Sequence, residues 1–285
     1  MCLGERAQGG TVARNLLKKG FKVRGITRNP NSEKAEALRK LGAEVVKGNL
    51  DDNDSVRQVV EGAAGVFLVT NFWEGMDREK EISQGKRVTD ACKTANVKHL
   101  IFSGLELVKE ITGTPCPHFD GKGEIEKYIE ASGVPFTSVR LPYYFENYSN
   151  PLFGPQKQED GSYNLVIGMK GGMDGISVED LGPVVVSLFF SDTYLGKKIG
   201  LSGDKLTPTE YMEILSKATG KTYRAVCLPW EEYSKLPFPP AEDIGAMFNF
   251  YENYNPDRDI KITQQLNPDV RSFKQWVNEN KDKFL

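Results

Sequence analysis

GERAQGGTVARNLLKKG, residues 4–20, followed directly by FKVRGITRN, residues 21–29, decides how the chain is read. In the first stretch Val12, Ala13, Leu16 and Leu17 share one helical face, and Gly20 supplies the stop. Ahead of that helix, Gly9 and Gly10 read as the end of a glycine turn, where a backbone approaches phosphate oxygens closely. Counted back in threes from Gly9, the other glycines of such a turn would fall on Arg6 and Leu3, so the turn signal is weak by itself. The second stretch is a β-rich run leading into Arg28. Turn, helix and strand in this order open a βαβ unit.

The alternation continues. Strand patterns at 21–27, 43–48, 64–70, 99–104 and 136–142 are separated by helical patterns at 32–41, 54–61, 78–95 and 120–131. The strand runs are apolar enough to be covered on both faces. The chain is therefore expected to be α/β: a doubly wound, Rossmann-like parallel sheet, with a smaller C-terminal α+β lobe. After Pro142 the regularity fades. Residues 176–190 read as a short strand and a helix returning to the sheet, and Thr207-Pro208-Thr209-Glu210 is a strong helix start, with Gly220 as its end. Residues 236–240 form a proline-rich linker, after which Ile244, Met247, Phe248 and Tyr251 follow a helical spacing. The expected division is 1–147 with 164–202 as a nucleotide-binding domain, and 148–163 with 203–285 as a smaller lobe for substrate or partner.

At 285 residues the chain can bury a core in each of two domains. Its net charge of −2 and the absence of a basic block argue against nucleic acid and anionic membrane as partners. The longest apolar stretch, 184–190, is too short to span a bilayer, and no secretory leader opens the chain. Cys2, Cys92, Cys116 and Cys227 have no metal-ligand spacing and read as reduced thiols, with no metal site.

Arg28 follows the second strand at the position where a dinucleotide fold reads the ribose. An acidic side chain there would accept from a 2′-hydroxyl, whereas a guanidinium matches a 2′-phosphate, so NADP(H) is the expected cofactor. Ser103 stands at the end of a strand, on the edge where open α/β sheets bind ligands. His118 and Lys122 are four apart at the start of the next helix, so both can face that edge as proton donor and ribose holder. Each of these also has a plain structural reading: a loop arginine before Pro30, a capping serine, a loop histidine, a solvated lysine.

Together AQGGTVARNLL, VRGITRNP, GNLDD, FLVTNFWE, FSGLELV, HFDGKGEIEKY, VRLPYYFENY, ISVEDLGPVV and MFNFYENYNPDRDI resemble the NmrA-like family. This is a branch of the atypical short-chain dehydrogenase/reductase fold, and the likeness is strongest to its animal NADPH sensors. The resemblance implies that Gln8, Gly9 and Gly10 contact the cofactor. Arg28 would read the 2′-phosphate, Asn29 and Ser32 would also contact the cofactor, and Asp52 and Asn53 would lie near adenine. Thr70, Asn71 and Phe72, with Tyr144, Phe145, Glu146 and Asn147, would line the nicotinamide side, and Lys122 would hold the nicotinamide ribose. His118 stands where active reductases carry the catalytic tyrosine, so no catalytic residue is secure. The resemblance also implies regulatory partner proteins, a homodimer, and a cytoplasmic and nuclear setting.

Relative to that family the first strand is expected to be largely missing, an N-terminally truncated form. Three or four absent buried apolar side chains, at roughly 1.5–3 kcal/mol each, compare with the ~5–15 kcal/mol that holds a domain together. Three functions follow as expectations: an NADP(H)-binding redox sensor with little or no turnover, an NADPH-dependent reductase of small carbonyl or quinone compounds with His118 as acid, and a cofactor-free interaction module.

Overall fold

The computed structural model describes residues 2–3 and 7–284. Its chain divides into two compact units, the first formed by 1–107, 118–140 and 178–199, the second by 108–117, 141–177 and 200–285. Segments 108–117, 141–147, 164–177 and 200–202 thus fall in the second unit, whereas the sequence reading assigned them to the first.

The first unit is built on a seven-stranded sheet of β1 (Cys2–Leu3), β2 (Arg24–Thr27), β3 (Glu44–Lys47), β4 (Gly65–Leu68), β5 (His99–Gly104), β6 (Phe136–Arg140) and β7 (Lys197–Gly200). The strand order is β7-β6-β5-β4-β1-β2-β3, and the pairs from β6 through β3 are parallel. The first strand, expected to be largely missing, is present as a short segment. The strand is only two residues long, yet it sits in the centre of the sheet, with Cys2 paired to Gly25 on one side and to Phe67 on the other. The glycine turn expected at residues 4–6 lies outside the described residues.

Helix α1 (Ala7–Lys18) begins earlier than expected, so Gly9 and Gly10 are buried helical residues rather than turn residues. Its inner face is Val12, Ala13 and Leu16, and it ends at Gly20, whose φ of +82° needs no strain in a residue without Cβ. The next helices are α2 (Glu33–Lys40), α3 (Asn53–Val60) and α4 (Arg78–Thr94). Each starts at a side-chain cap, Ser32, Asp52 and Asp77 respectively, that accepts from a first-turn amide. Helix α5 (Pro117–Ser132) starts on proline, which sets φ for a helix and has no amide to leave unpaired. Helix α6 (Leu181–Phe189) completes the unit. Glu179, just before α6, anchors α1: its carbonyl accepts from the Thr11 hydroxyl at 3.0 Å and its carboxylate from Arg14 at 2.7 and 2.8 Å. Ile26, Val66, Leu68, Val88, Leu100, Phe102, Ile125 and Ile129 form the core between sheet and helices. Burying each such side chain stabilises by about 1.5–3 kcal/mol.

The second unit carries two three-stranded sheets. In one, Met173–Ile176 lies between an antiparallel Asp204–Leu206 and a parallel Tyr143–Tyr144. In the other, Tyr163–Ile167 pairs in parallel with Tyr223–Cys227 and antiparallel with Gln156–Lys157. The helix start read at Thr207 is a full capping box with Glu210, and the helix Pro208–Thr219 ends at Gly220. Helix Ala241–Tyr254 buries Ile244, Met247, Phe248 and Tyr251, the spacing seen in the sequence. Fully buried Phe145, Tyr211, Phe273 and Trp276 pack ring on ring at the centre. Among the described residues no helix is long and apolar enough to cross a membrane.

Candidate functional site

Strand β1 has β2 on one side and β4 on the other, so the chain leaves the sheet in opposite directions at this point. Open α/β sheets bind ligands in the crevice at the carboxyl ends of such strands. The residues that follow β1, β2 and β4 are the ones singled out in the sequence. Gln8, Gly9 and Gly10 lie in the first turn of α1, whose leading amides have no partner within the helix and favour an anion.

After β2, the turn is braced from within. Asn29 donates its amide to Thr27 Oγ1 at 3.1 Å and accepts from the Asn31 amide at 3.1 Å, while Ser32 Oγ accepts from Ala35 at 3.2 Å. The braced backbone leaves the Arg28 side chain 58% exposed, and its guanidinium forms an ion pair with Glu74. After β3, Asp52 accepts from the Asp54 amide at 3.0 Å, and Asn53 Oδ1 accepts from Arg87 Nε at 2.7 Å. Beside them a hydrogen bond from Gln84 holds the Asp51 carboxyl below its usual range, against a smaller opposing effect of burial.

The densest polar arrangement lies where β4 ends. Thr70 is buried, and its hydroxyl donates to Glu81 Oε1 at 2.7 Å. Lys122 Nζ donates to the Thr70 carbonyl at 3.1 Å, to Thr70 Oγ1 at 3.0 Å, and to Glu81 Oε1 in an ion pair. An ammonium has three donors, so all three are engaged within the protein. A ribose hydroxyl would have to replace one of these oxygens. Two buried polar atoms in this region, Glu81 Oε2 and Asn71 Nδ2, have no hydrogen-bond partner among the described residues. An acceptor and a donor left unmade in a buried place fit a ligand that carries both hydroxyls and carbonyl oxygens. Gly121 borders the same carboxylate: a Cβ there would come within 2.7 Å of Glu81 Oε2, so a larger residue would push into it.

His118 is buried. Its ring lies 4.9 Å from Trp73, 4.8 Å from Phe119 and 6.2 Å from Phe72 by centroids. Ser103 is also buried, one residue before the end of β5. Ser103, His118 and Lys122 therefore all belong to the first unit. Tyr144, Phe145, Glu146 and Asn147 belong to the second. There the Phe145 ring is committed to the aromatic core, and Glu146 Oε1 accepts from the Ser177 hydroxyl at 2.6 Å. Neither contact was legible in the sequence.

Sequence reasoning also missed Glu81 and Glu74. Glu81 sits in the run REKE at the start of α4, which reads as a solvated charged face. Only the fold turns that one carboxylate inward. Glu74 stood in the quoted FLVTNFWE segment, but nothing in its spacing pointed to Arg28, far away along the chain.

A family model described as "NmrA-like family" matches residues 6–277. An NmrA-like family domain-containing protein of Dictyostelium discoideum is 34% identical over 88% of this chain and 87% of its own. The NmrA-like family domain-containing oxidoreductase malD of Malbranchea aurantiaca is 30% identical over 99% of this chain and 96% of its own. Among solved structures, NmrA, a negative transcriptional regulator in complex with NADP, superposes with a TM-score of 0.85 at 21% identity, over 98% of this chain and 94% of that one. That last likeness concerns the fold.

Proposed function

This chain belongs to the NmrA-like family, and on that premise we propose that it is an NADP(H)-binding regulatory protein with little or no turnover. In this reading the first turn of α1 receives the pyrophosphate and Arg28 the 2′-phosphate. Asn71 donates to a ligand oxygen, and Lys122 exchanges one of its protein partners for a ribose hydroxyl. Bound NADPH would supply a hydride. The resemblance puts His118 where active reductases carry their catalytic tyrosine, and its ring packs against Phe72, Trp73 and Phe119. The protein would report the state of the cofactor through regulatory partner proteins and a homodimer, in the cytoplasm and the nucleus. The observation that carries the reading is the pair of buried, unpartnered atoms Asn71 Nδ2 and Glu81 Oε2 around Thr70 and Lys122.

Adding NADPH to the purified protein tests it. A ligand that binds only the folded state raises the melting temperature by mass action. The expected result is a rise with NADPH and no steady NADPH oxidation over a panel of carbonyl and quinone compounds. No rise at high NADPH would overturn the reading in favour of a cofactor-free interaction module.

A second reading, an NADPH-dependent reductase of small carbonyl or quinone compounds with His118 as acid, is favoured by the relative named as an oxidoreductase. Turnover with any panel member, abolished in His118→Phe, would establish it.

A further inference from the structure

The ion pair between Arg28 and Glu74 joins the residue after β2 to a short helical turn, Phe72–Glu74, that follows β4. Because β1 lies between β2 and β4, the pair spans the carboxyl end of the central strand. It thus crosses the part of the sheet edge where a dinucleotide would lie. Both side chains keep substantial exposure, 58% and 40%, so the pair itself is weak and exchangeable.

We infer that Glu74 is a specificity-determining residue that competes with the 2′-phosphate for Arg28. The inference rests on the NADP(H) reading and deepens it. A 2′-phosphate is a stronger partner for a guanidinium than a carboxylate, since it carries more charge and a third acceptor oxygen. It therefore displaces Glu74, but against the repulsion of a nearby like charge. A 2′-hydroxyl has no such conflict: it can donate to the Glu74 carboxylate and leave the ion pair in place. Glu74 thereby lowers the preference for NADP(H) over NAD(H) below what Arg28 alone would set. Its turn also carries Trp73, which lies against His118, so the exchange at Arg28 acts on the segment beside the nicotinamide-side residues.

The test is Glu74→Gln, a substitution at an exposed site that keeps the shape of the side chain. Dissociation constants are measured for NADPH, NADH, 2′,5′-ADP and 5′-AMP with both proteins, after their melting temperatures without ligand are shown to agree. The expected result is that NADPH and 2′,5′-ADP tighten by roughly tenfold while NADH and 5′-AMP do not. An unchanged NADPH-to-NADH ratio, or weaker NADPH binding, overturns the inference and leaves the NADP(H) reading standing. If neither protein binds any of the four probes, that reading falls and this inference with it.

Discussion

Lys122 and Glu81 form an ion pair with side chains only 13% and 1% exposed, and Thr70 bonds to both of them. The pair ties α5 to α4 and to the end of β4. Removing one member of a buried pair leaves the other charge uncompensated, at a cost of about 3–5 kcal/mol. Lys122→Ala and Glu81→Ala should each lower the urea midpoint accordingly. Glu81→Gln, which keeps an acceptor for Thr70, should cost less. The double variant Glu81→Gln/Lys122→Gln should recover much of the loss. Additive losses in the double variant would contradict the coupling.

Arg28 should govern the choice of cofactor. Replacing a hydrogen bond to a charged group is worth about 1.5–3 kcal/mol, or roughly 10- to 150-fold in Kd. Arg28→Ala should weaken NADPH by that factor and leave NADH nearly unchanged. Calorimetric titration of both ligands decides the point, and equal weakening of the two would count against a 2′-phosphate contact.

His118 should be dispensable for cofactor binding. Its ring packs among Phe72, Trp73 and Phe119, and His118→Phe keeps that aromatic packing. NADPH affinity is expected to be unchanged, and fluorescence titration of the two proteins measures it.

His99 should give the protein an acid-sensitive stability. Its Nε2 lies 2.8 Å from Thr137 Oγ1, and that hydroxyl donates its proton to the Tyr194 carbonyl, so Nε2 carries a hydrogen and donates. Burial pushes the His99 pKa below its ordinary value of 6.5, with Asp192 opposing the shift. The unfolded chain then binds more protons than the folded one just below that value. The stability is present above pH 6.5 and is lost as pH falls toward the depressed folded value. Melting temperatures from pH 7.5 downward should fall more steeply for the native protein than for His99→Gln. Parallel slopes would exclude this residue as the cause.

The sheet was readable because its inner strands, β4, β5 and β6, are apolar runs buried on both faces, separated by helical patterns. Thr207 was legible as a cap because it acts on an amide three residues away; Ser32, Asp52 and Asp77 act as locally but were not read as caps. The start of α1 was misjudged for the opposite reason. Its contacts with Glu179, through Thr11 and Arg14, lie far along the chain and leave no mark in the local sequence.

By itself, then, the sequence determined the α/β architecture and which residues follow β2 and β4. These follow from periodicity and capping, which act within a few residues. The partners of those residues were decided only by the tertiary structure. Glu81 became a buried counter-ion for Lys122, Glu74 met Arg28, and Phe145 became core rather than lining. Each of these pairings or burials joins positions brought close by the sheet order or by packing in the second unit. Charge and burial are properties of such neighbourhoods, and no spacing along the chain encodes them.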